Sequence, residues 1–299
     1  MKKFFMLAIS LCMAFAASAA GLKTEKFNFG EITAIKSGFN YTVEVTYGKT
    51  ESVTVTYQED LEKYLDIRCE NGKLILSAKN LPRKGFYNNS NEVVVKLQMR
   101  KINLLDFSGA STLTAIGDFT ADNTFICDFS GAADLKGINI SASMLDYDFS
   151  GASNGLIKGE FGSVSGSASG ASNLTLKIVK NTEKLYADIS GAANFEVYAE
   201  NVMGETVIEV SGAAEALVSG HTDIISLDAS GASEINAKDM IANRGTANAS
   251  GSSSVRIYGK EHLDLEVSGA GDIRYFGTCN ESEVIKKLPK YAASIESGN

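Results

Sequence analysis

Seven carboxylates in this 299-residue chain fall on one periodic line. Asp106, Asp128, Asp148, Asp188, Glu209, Asp228 and Glu266 each stand two residues before a serine, and Ser167 and Asn248 fill the two remaining places. A second polar line, four residues after each of those serines, reads Thr112, Asp134, Asn154, Asn173, Asn194, Glu215, Glu234, Ser254 and Asp272. Two chemistries would use such acids. Calcium takes about six to eight oxygens, and one carboxylate per period makes a cation between periods the weaker expectation; the glycine-rich calcium-binding nonapeptide is absent. Glycoside hydrolysis needs carboxylates converging in one cleft, whereas these acids are spread evenly. Carboxylates about 5 Å apart repel by roughly 1 kcal/mol in water. The line therefore reads first as a solvated or hydrogen-bonded ladder, and no catalytic residue and no cofactor other than calcium is expected.

The remaining reactive residues point the same way. His221 and His262 fall in different periods, without a matching serine or cysteine constellation. Gly48-Lys49-Thr50 looks like the tail of a phosphate loop, but Val43 stands where its first glycine is required. Ser165-Gly166-Ser167-Ala168-Ser169-Gly170 lacks a lysine and a following helix, so it belongs to the repeat. Tyr41, Tyr147, Tyr186 and Tyr198 are candidate platforms for sugar rings, with packing into the sheet as the stronger reading. Phe86-Tyr87, inside the polar stretch Leu81 to Glu92, is the better candidate for an exposed aromatic pair.

What positions these residues is a triplet. Ser-Gly-Ala recurs from Ser108 to Ala270 with serines 22, 20, 19, 21, 21, 19, 20 and 18 residues apart, and Ser252 replaces the alanine once. The glycines are Gly109, Gly131, Gly151, Gly170, Gly191, Gly212, Gly231, Gly251 and Gly269. Small residues at a period near 20 belong to a solenoid. Before each serine, apolar residues alternate, as in Phe125, Cys127 and Phe129 or Leu263, Leu265 and Val267; after it comes a second pair, as in Leu174 and Leu176. Both have the period of a strand with one face buried. The expectation is an all-β fold, a right-handed parallel β-helix of about nine rungs. Eight steps of about 4.8 Å make a rod roughly 38 Å long. The triplet would be a corner where stacking forbids large side chains, with glycine for the bend, alanine pointing into it, and serine hydroxyls bonded to corner backbone or to each other.

Around the repeats, residues 1–20 (a positive Met1-Lys2-Lys3 start, an apolar run and small residues at the exit) read as a secretory signal peptide. Cys12 is better read as part of the apolar core of that leader than as a lipid site. Residues 21–100 read as a β-rich cap continuous with the solenoid, 101–277 as the repeats and 278–299 as a tail or cap. Asn71-Gly72 between two alternating runs is a hairpin signal. The net charge of −8 argues against nucleic acid or anionic lipid as partner. Nothing after the leader is apolar enough to cross a membrane as a helix. Cys127 reads as a buried hydrophobe, and a Cys69–Cys279 bridge stays open.

The leader, the opening Ser37-Gly38-Phe39 followed by alternating valines, and the serial Asp-x-Ser-Gly-Ala-Ser repeats resemble the autotransporter adhesin "head GIN domain" family from about Leu22 to Gly277. The resemblance implies an exported, adhesin-like β-solenoid of the Gram-negative cell envelope with no catalytic residues to carry over. Ser282 to Asn299 shows no alternating barrel strands, so a secreted, periplasmic or surface-associated place is expected rather than an integral one. The resulting expectation is a non-catalytic module that binds glycan, matrix or cell-surface protein. The alternatives are a polysaccharide-active β-helix enzyme, lyase or hydrolase, and a purely structural envelope protein.

Overall fold

The computed structural model describes residues 13–14, 21–82, 92–289 and 293–298. Residues 1–20, read above as a signal peptide, lie outside the described residues apart from β1 (Met13–Ala14), as does the Phe86-Tyr87 pair. The architecture is a β-solenoid. Its parallel ladder runs through β9 (Leu104–Phe107), β10 (Thr112–Thr120) and β11 (Thr124–Phe129), then β12 (Asp134–Phe149), β13 (Asn154–Ala168), β14 (Asn173–Ile189) and β15 (Asn194–Val210). It continues through β16 (Glu215–Ala229), β17 (Glu234–Ala249), β18 (Ser254–Val267) and β19 (Asp272–Gly277). From β12 to β18, the two strands expected per period are one long strand that bends in its middle. Most register shifts sit near mid-strand, for instance between Gly159 and Ser163, while others fall soon after the corner, as between Leu135 and Ile138, so unequal periods are absorbed on the side of the rung that follows the corner.

The Ser-Gly-Ala corner continues the ladder around the bend. In the rung of Gly191, the amides of Ser190, Ala192 and Asn194 donate to the carbonyls of Ala168, Gly170 and Ser172 at 2.9, 2.7 and 2.9 Å. All nine corner glycines have φ between 70° and 80°, the left-handed region that a side chain disfavours. A Cβ on Gly191 would also lie 2.7 Å from the carbonyl oxygen of Gly170. Conformation and stacking thus demand glycine for separate reasons.

One expectation for the corner fails. The triplet alanine points outward: Ala110, Ala132, Ala152, Ala171, Ala192, Ala213 and Ala232 are exposed. The buried small residue is the next one along, Ser111, Ala133, Ser153, Ser172, Ala193, Ala214, Ser233 or Ser253. After the left-handed glycine the chain alternates as a strand again, which turns the third residue inward. At Ser111, Ser233 and Ser253 the hydroxyl of this inward residue ties the bend to backbone carbonyls. Ser253 Oγ donates to Ala229 O at 3.0 Å and to Ser250 O at 2.9 Å, and Ser233 repeats the pattern on Val210 and Ser230. Ser172 Oγ is buried with no partner among the described residues.

Inside, the residue before each triplet stacks on its own kind. Phe107, Phe129 and Phe149 lie with centroids 5.1 and 5.3 Å apart and planes within 6°. Phe149 takes the volume that a side chain on Gly155 would fill, and Tyr147 that of Gly166, so large residues in one rung are matched by glycine in the next. Cys127 lies in this core as a free thiol.

The N-terminal block is threaded out of order. β3 (Ala34–Ser37) and β4 (Tyr41–Tyr47) form a rung directly under β9 and β10, with the corner of Gly109 resting on Phe39. The rung under that one is built from later residues, β7 (Lys73–Ala78) and β8 (Val93–Met99). Antiparallel strands then end the stack: β5 (Ser52–Gln58) on β8, β2 (Leu22–Phe27) on β5, and β6 (Leu65–Glu70) on β7 through the Asn71-Gly72 hairpin. Glu59–Tyr64, between β5 and β6, is a short 3₁₀ helix. At the other end, within the segment read as a tail or cap, β20 (Val284–Lys287) and β21 (Ser294–Ser297) add a further parallel rung. Cys69 and Cys279 are free thiols on β6 and just past β19, near opposite ends of the ladder, so the bridge left open above is not formed.

Two contrasts test this corner chemistry by thermal unfolding. Gly191→Val, which meets both a left-handed φ and the Gly170 carbonyl, is expected to cost several times more than Asn194→Ala, with strain alone contributing about 1–3 kcal/mol. Equal melting of the two would remove the corner assignment. Ser172→Ala is expected to stabilise, since it removes an unpaired buried hydroxyl worth about 1–3 kcal/mol, whereas Ser253→Ala destabilises.

Candidate functional site

The structure places the seven carboxylates of the first line in register on the outer surface. Asp106, Asp128 and Asp148 are direct neighbours, followed by Ser167, Asp188, Glu209, Asp228, Asn248 and Glu266. The line begins and ends on lysine. Lys36 on β3 is the in-register neighbour of Asp106 and ion-pairs with it. Lys287 on β20 is the neighbour of Glu266, with Nζ 3.6 Å from Glu266 and 3.4 Å from Asp264. Burial, and after it the charges of Asp106, Asp148 and Asp146, pushes the Asp128 carboxyl above its ordinary value, while Lys36 pulls it back. Among the described residues, no group of three or more His, Cys, Asp or Glu side chains is arranged to hold a metal ion.

The second line differs in chemistry. Its middle is an asparagine ladder: Asn173 Nδ2 donates to Asn154 Oδ1, and Asn194 Nδ2 to Asn173 Oδ1, each at 2.8 Å. An amide carries donor and acceptor, so stacked copies satisfy one another where stacked carboxylates cannot. Higher up, Glu234 is held by Arg256 at 2.5 Å.

Of the four tyrosines, only one is a free platform. Tyr41 and Tyr147 are 0% and 1% exposed and belong to the core, because each lies on the inward phase of its strand. Tyr186 is half-buried, with its hydroxyl 3.3 Å from Glu209 Oε2. Tyr198 is 40% exposed. His221 is exposed with Nδ1 3.3 Å from the Glu200 carbonyl, and His262 lies 3.5 Å from Glu283; each sits beside a different residue of the neighbouring rung, and the two do not converge.

Around Tyr198 the fold assembles a surface that alignment on the serines had not singled out. On β13, β14 and β15 the outward residues six places after each serine are Leu156, Thr175 and Glu196, and eight places after it are Lys158, Lys177 and Tyr198. Leu156, 36% exposed, and Tyr198 flank a shallow depression lined by Thr175, Lys177 and Glu196. Tyr198 donates to Glu196 Oε2 at 3.2 Å, and Lys177 Nζ lies 6.0 Å from the centre of its ring. A second depression adjoins it, lined by Asn194, Glu196, Glu215, Leu217, Glu234 and Asn236. Together they make a shallow face on paired parallel strands, with an aliphatic and an aromatic side chain set among charged and amide groups. Such a face can stack on an apolar ring surface while exchanging hydrogen bonds at its edge. The sequence signal for it was the phase of the alternation: Tyr198 stands one place past the inward Val197.

The ladder generates an electrostatic test. Because the folded Asp128 carboxyl holds its proton more tightly than the unfolded one, folding is relatively favoured as pH falls through the window above the ordinary aspartate value, and the penalty is full at neutral pH. Asp128→Asn is therefore expected to stabilise the fold at pH 7 by no more than about 1 kcal/mol after solvent screening, read as a raised melting temperature, with the gain gone near pH 3. Lys36→Gln should lower it, by an amount that shrinks with added salt.

A search of curated proteins finds no match. Among solved structures, a "putative lipid binding protein" from Parabacteroides distasonis ATCC 8503 is 18% identical, with 94% of this chain and 98% of that chain covered and a TM-score of 0.46. A "putative adhesin" from the same organism is 14% identical, with coverage of 92% and 96% and a TM-score of 0.46. A "putative adhesin" from Parabacteroides merdae ATCC 43184 is 18% identical, with coverage of 94% and 98% and a TM-score of 0.41. The profile of one family matches residues 31–207 and 203–279, which include every corner described above. The chain belongs to the family described as "putative auto-transporter adhesin, head GIN domain".

Proposed function

We propose that this protein is an exported, non-catalytic adhesin-like module that binds glycan, matrix or cell-surface ligands through the outward face of its solenoid. The observation that carries the reading is the exposed pair Leu156 and Tyr198, set around Thr175, Lys177 and Glu196 on a rigid sheet. An exposed leucine and tyrosine lining one depression among polar ladders make a mixed apolar and polar surface of the kind that suits recognition. The carboxylates of the first line support binding over turnover, being spaced one per rung instead of converging. The reading of residues 1–20 as a leader supports export, and no described helix is long and apolar enough to cross a membrane. Family membership supports an adhesive role.

The test is a glycan array with cell and matrix binding, run beside a turnover screen on the same polysaccharides. The expected result is binding without product release, weakened about tenfold or more by Tyr198→Ala, the scale at which a central aromatic contact contributes, at an unchanged melting temperature. Release of shortened or unsaturated sugars would favour the polysaccharide-active enzyme. Full binding by Tyr198→Ala would remove this face as the site.

A further inference from the structure

On this reading of the face, the charges around Tyr198 narrow the ligand. Lys158 and Lys177 are in-register neighbours on β13 and β14, both exposed, and Tyr198 is the next residue of the same column. Other lysines near them on the surface are neutralised: Lys180 by Glu160, Lys184 by Glu205 and Lys136 by Asp134. Among the described residues, neither Lys158 nor Lys177 lies within ion-pair distance of a carboxylate; Lys177 rests instead on the Tyr198 ring, 6.0 Å from its centre. Like charges directly opposite each other on a sheet are destabilising. In a chain of net charge −8, with carboxylates one rung away, this pair is left without an anion. Glu196, two residues before Tyr198 on β15, accepts from the Tyr198 hydroxyl and remains exposed as an acceptor for further donors.

From this arrangement we infer that the Leu156–Tyr198 face binds a carboxylate-bearing saccharide: the apolar face of a pyranose on Tyr198 and Leu156, its carboxylate between Lys158 and Lys177, and a ring hydroxyl donating to Glu196. The occupant is a sugar rather than a lipid headgroup because the cations do not stand alone. They border an aromatic ring and a carboxylate acceptor, which a polyol carboxylate satisfies and an anionic membrane surface would be repelled by. Two lysine ammonium groups favour an anion through charge-assisted hydrogen bonds. The site needs no metal and forms no covalent bond.

The test uses the full-length mature protein and two matched pairs of probes, trigalacturonate with its methyl ester and sialyllactose with lactose, titrated by calorimetry or by ligand-observed NMR at low and high salt. The expected result is that the acidic member of at least one pair binds about tenfold or more tighter than its neutral partner, with the preference falling as salt rises. In the double variant Lys158→Gln, Lys177→Gln the preference vanishes at an unchanged melting temperature. Tyr198→Ala weakens acidic and neutral members alike, and Lys184→Gln, whose lysine already has Glu205, changes neither. The inference is overturned if no acidic probe binds, if ester and acid bind equally, if the preference survives the double variant, or if the lysines matter only for phosphatidylglycerol vesicles. Loss of the acid preference alone, with array binding still dependent on Tyr198, would overturn this specificity and leave the adhesin-like reading standing. Loss of both would overturn the two together.

Discussion

Everything in this protein depends on one contact repeated up the stack: a corner amide donating to the carbonyl of the corner beneath it. The Ala192 amide reaches the Gly170 carbonyl at 2.7 Å, and Ala132, Ala152, Ala171 and Ala213 repeat it on Gly109, Gly131, Gly151 and Gly191 at 2.7–2.8 Å. A bend that leaves its backbone groups unpaired would end a sheet or need water. Here the bend is itself part of the ladder, so the chain can turn without an edge. That is possible only where no Cβ stands between the two backbones, and the left-handed glycine serves both the turn and the approach.

In-register stacking then has an electrostatic consequence. It places each residue against its counterpart one period away, so any type favoured at one position becomes a column of that type. Phenylalanine and asparagine gain from this, by ring stacking and by amide ladders. Aspartate loses, and the carboxylate line shows how the loss is contained. Ser167 and Asn248 interrupt it, solvent screens most of it, and Lys36 and Lys287 terminate it. At Asp128, burial and after it the neighbouring carboxylates push the carboxyl above its ordinary value. The lysine column at Lys158 and Lys177 has no such containment, which is why it reads as a binding feature and not as a structural one.

A solenoid also has two ends, and each exposes a row of unpaired backbone groups. At the start, β7 and β8 slip beneath the first rung and antiparallel strands close over them, replacing a growing parallel edge with one that no further rung can extend in the same direction. At the other end the strands β20 and β21 are four residues each, and β20 carries Lys286 and Lys287 with Pro289 following. Lys286 folds over the Tyr275 ring at 4.5 Å and bonds its hydroxyl at 2.7 Å, covering this part of the core with a charged group. A short, basic strand followed by proline, as β20 is, is a poor template for a second chain.

The amino-acid sequence by itself determined the period, the alternation and the glycine corner, because those follow from residues at fixed local spacing. It also determined which phase of each strand is buried, so Tyr147 and Tyr198 were already separable by counting from the triplet. It placed the carboxylate line on the outside for the same reason. What it left to the tertiary structure were relations with no repeated template. The out-of-order rung of β7 and β8 joins Tyr41 to Val93 and Ala34 to Lys73, across segments that share no motif to align. The inward turn of Ser111 and Ser253 depends on the strand resuming after a left-handed residue, which residue types alone do not fix. Which lysines have partners was also decided in three dimensions, since Lys180 meets Glu160 and Lys36 meets Asp106 across whole rungs of chain. Local spacing sets what each rung is; stacking sets what each rung meets, and the candidate site is made of those meetings.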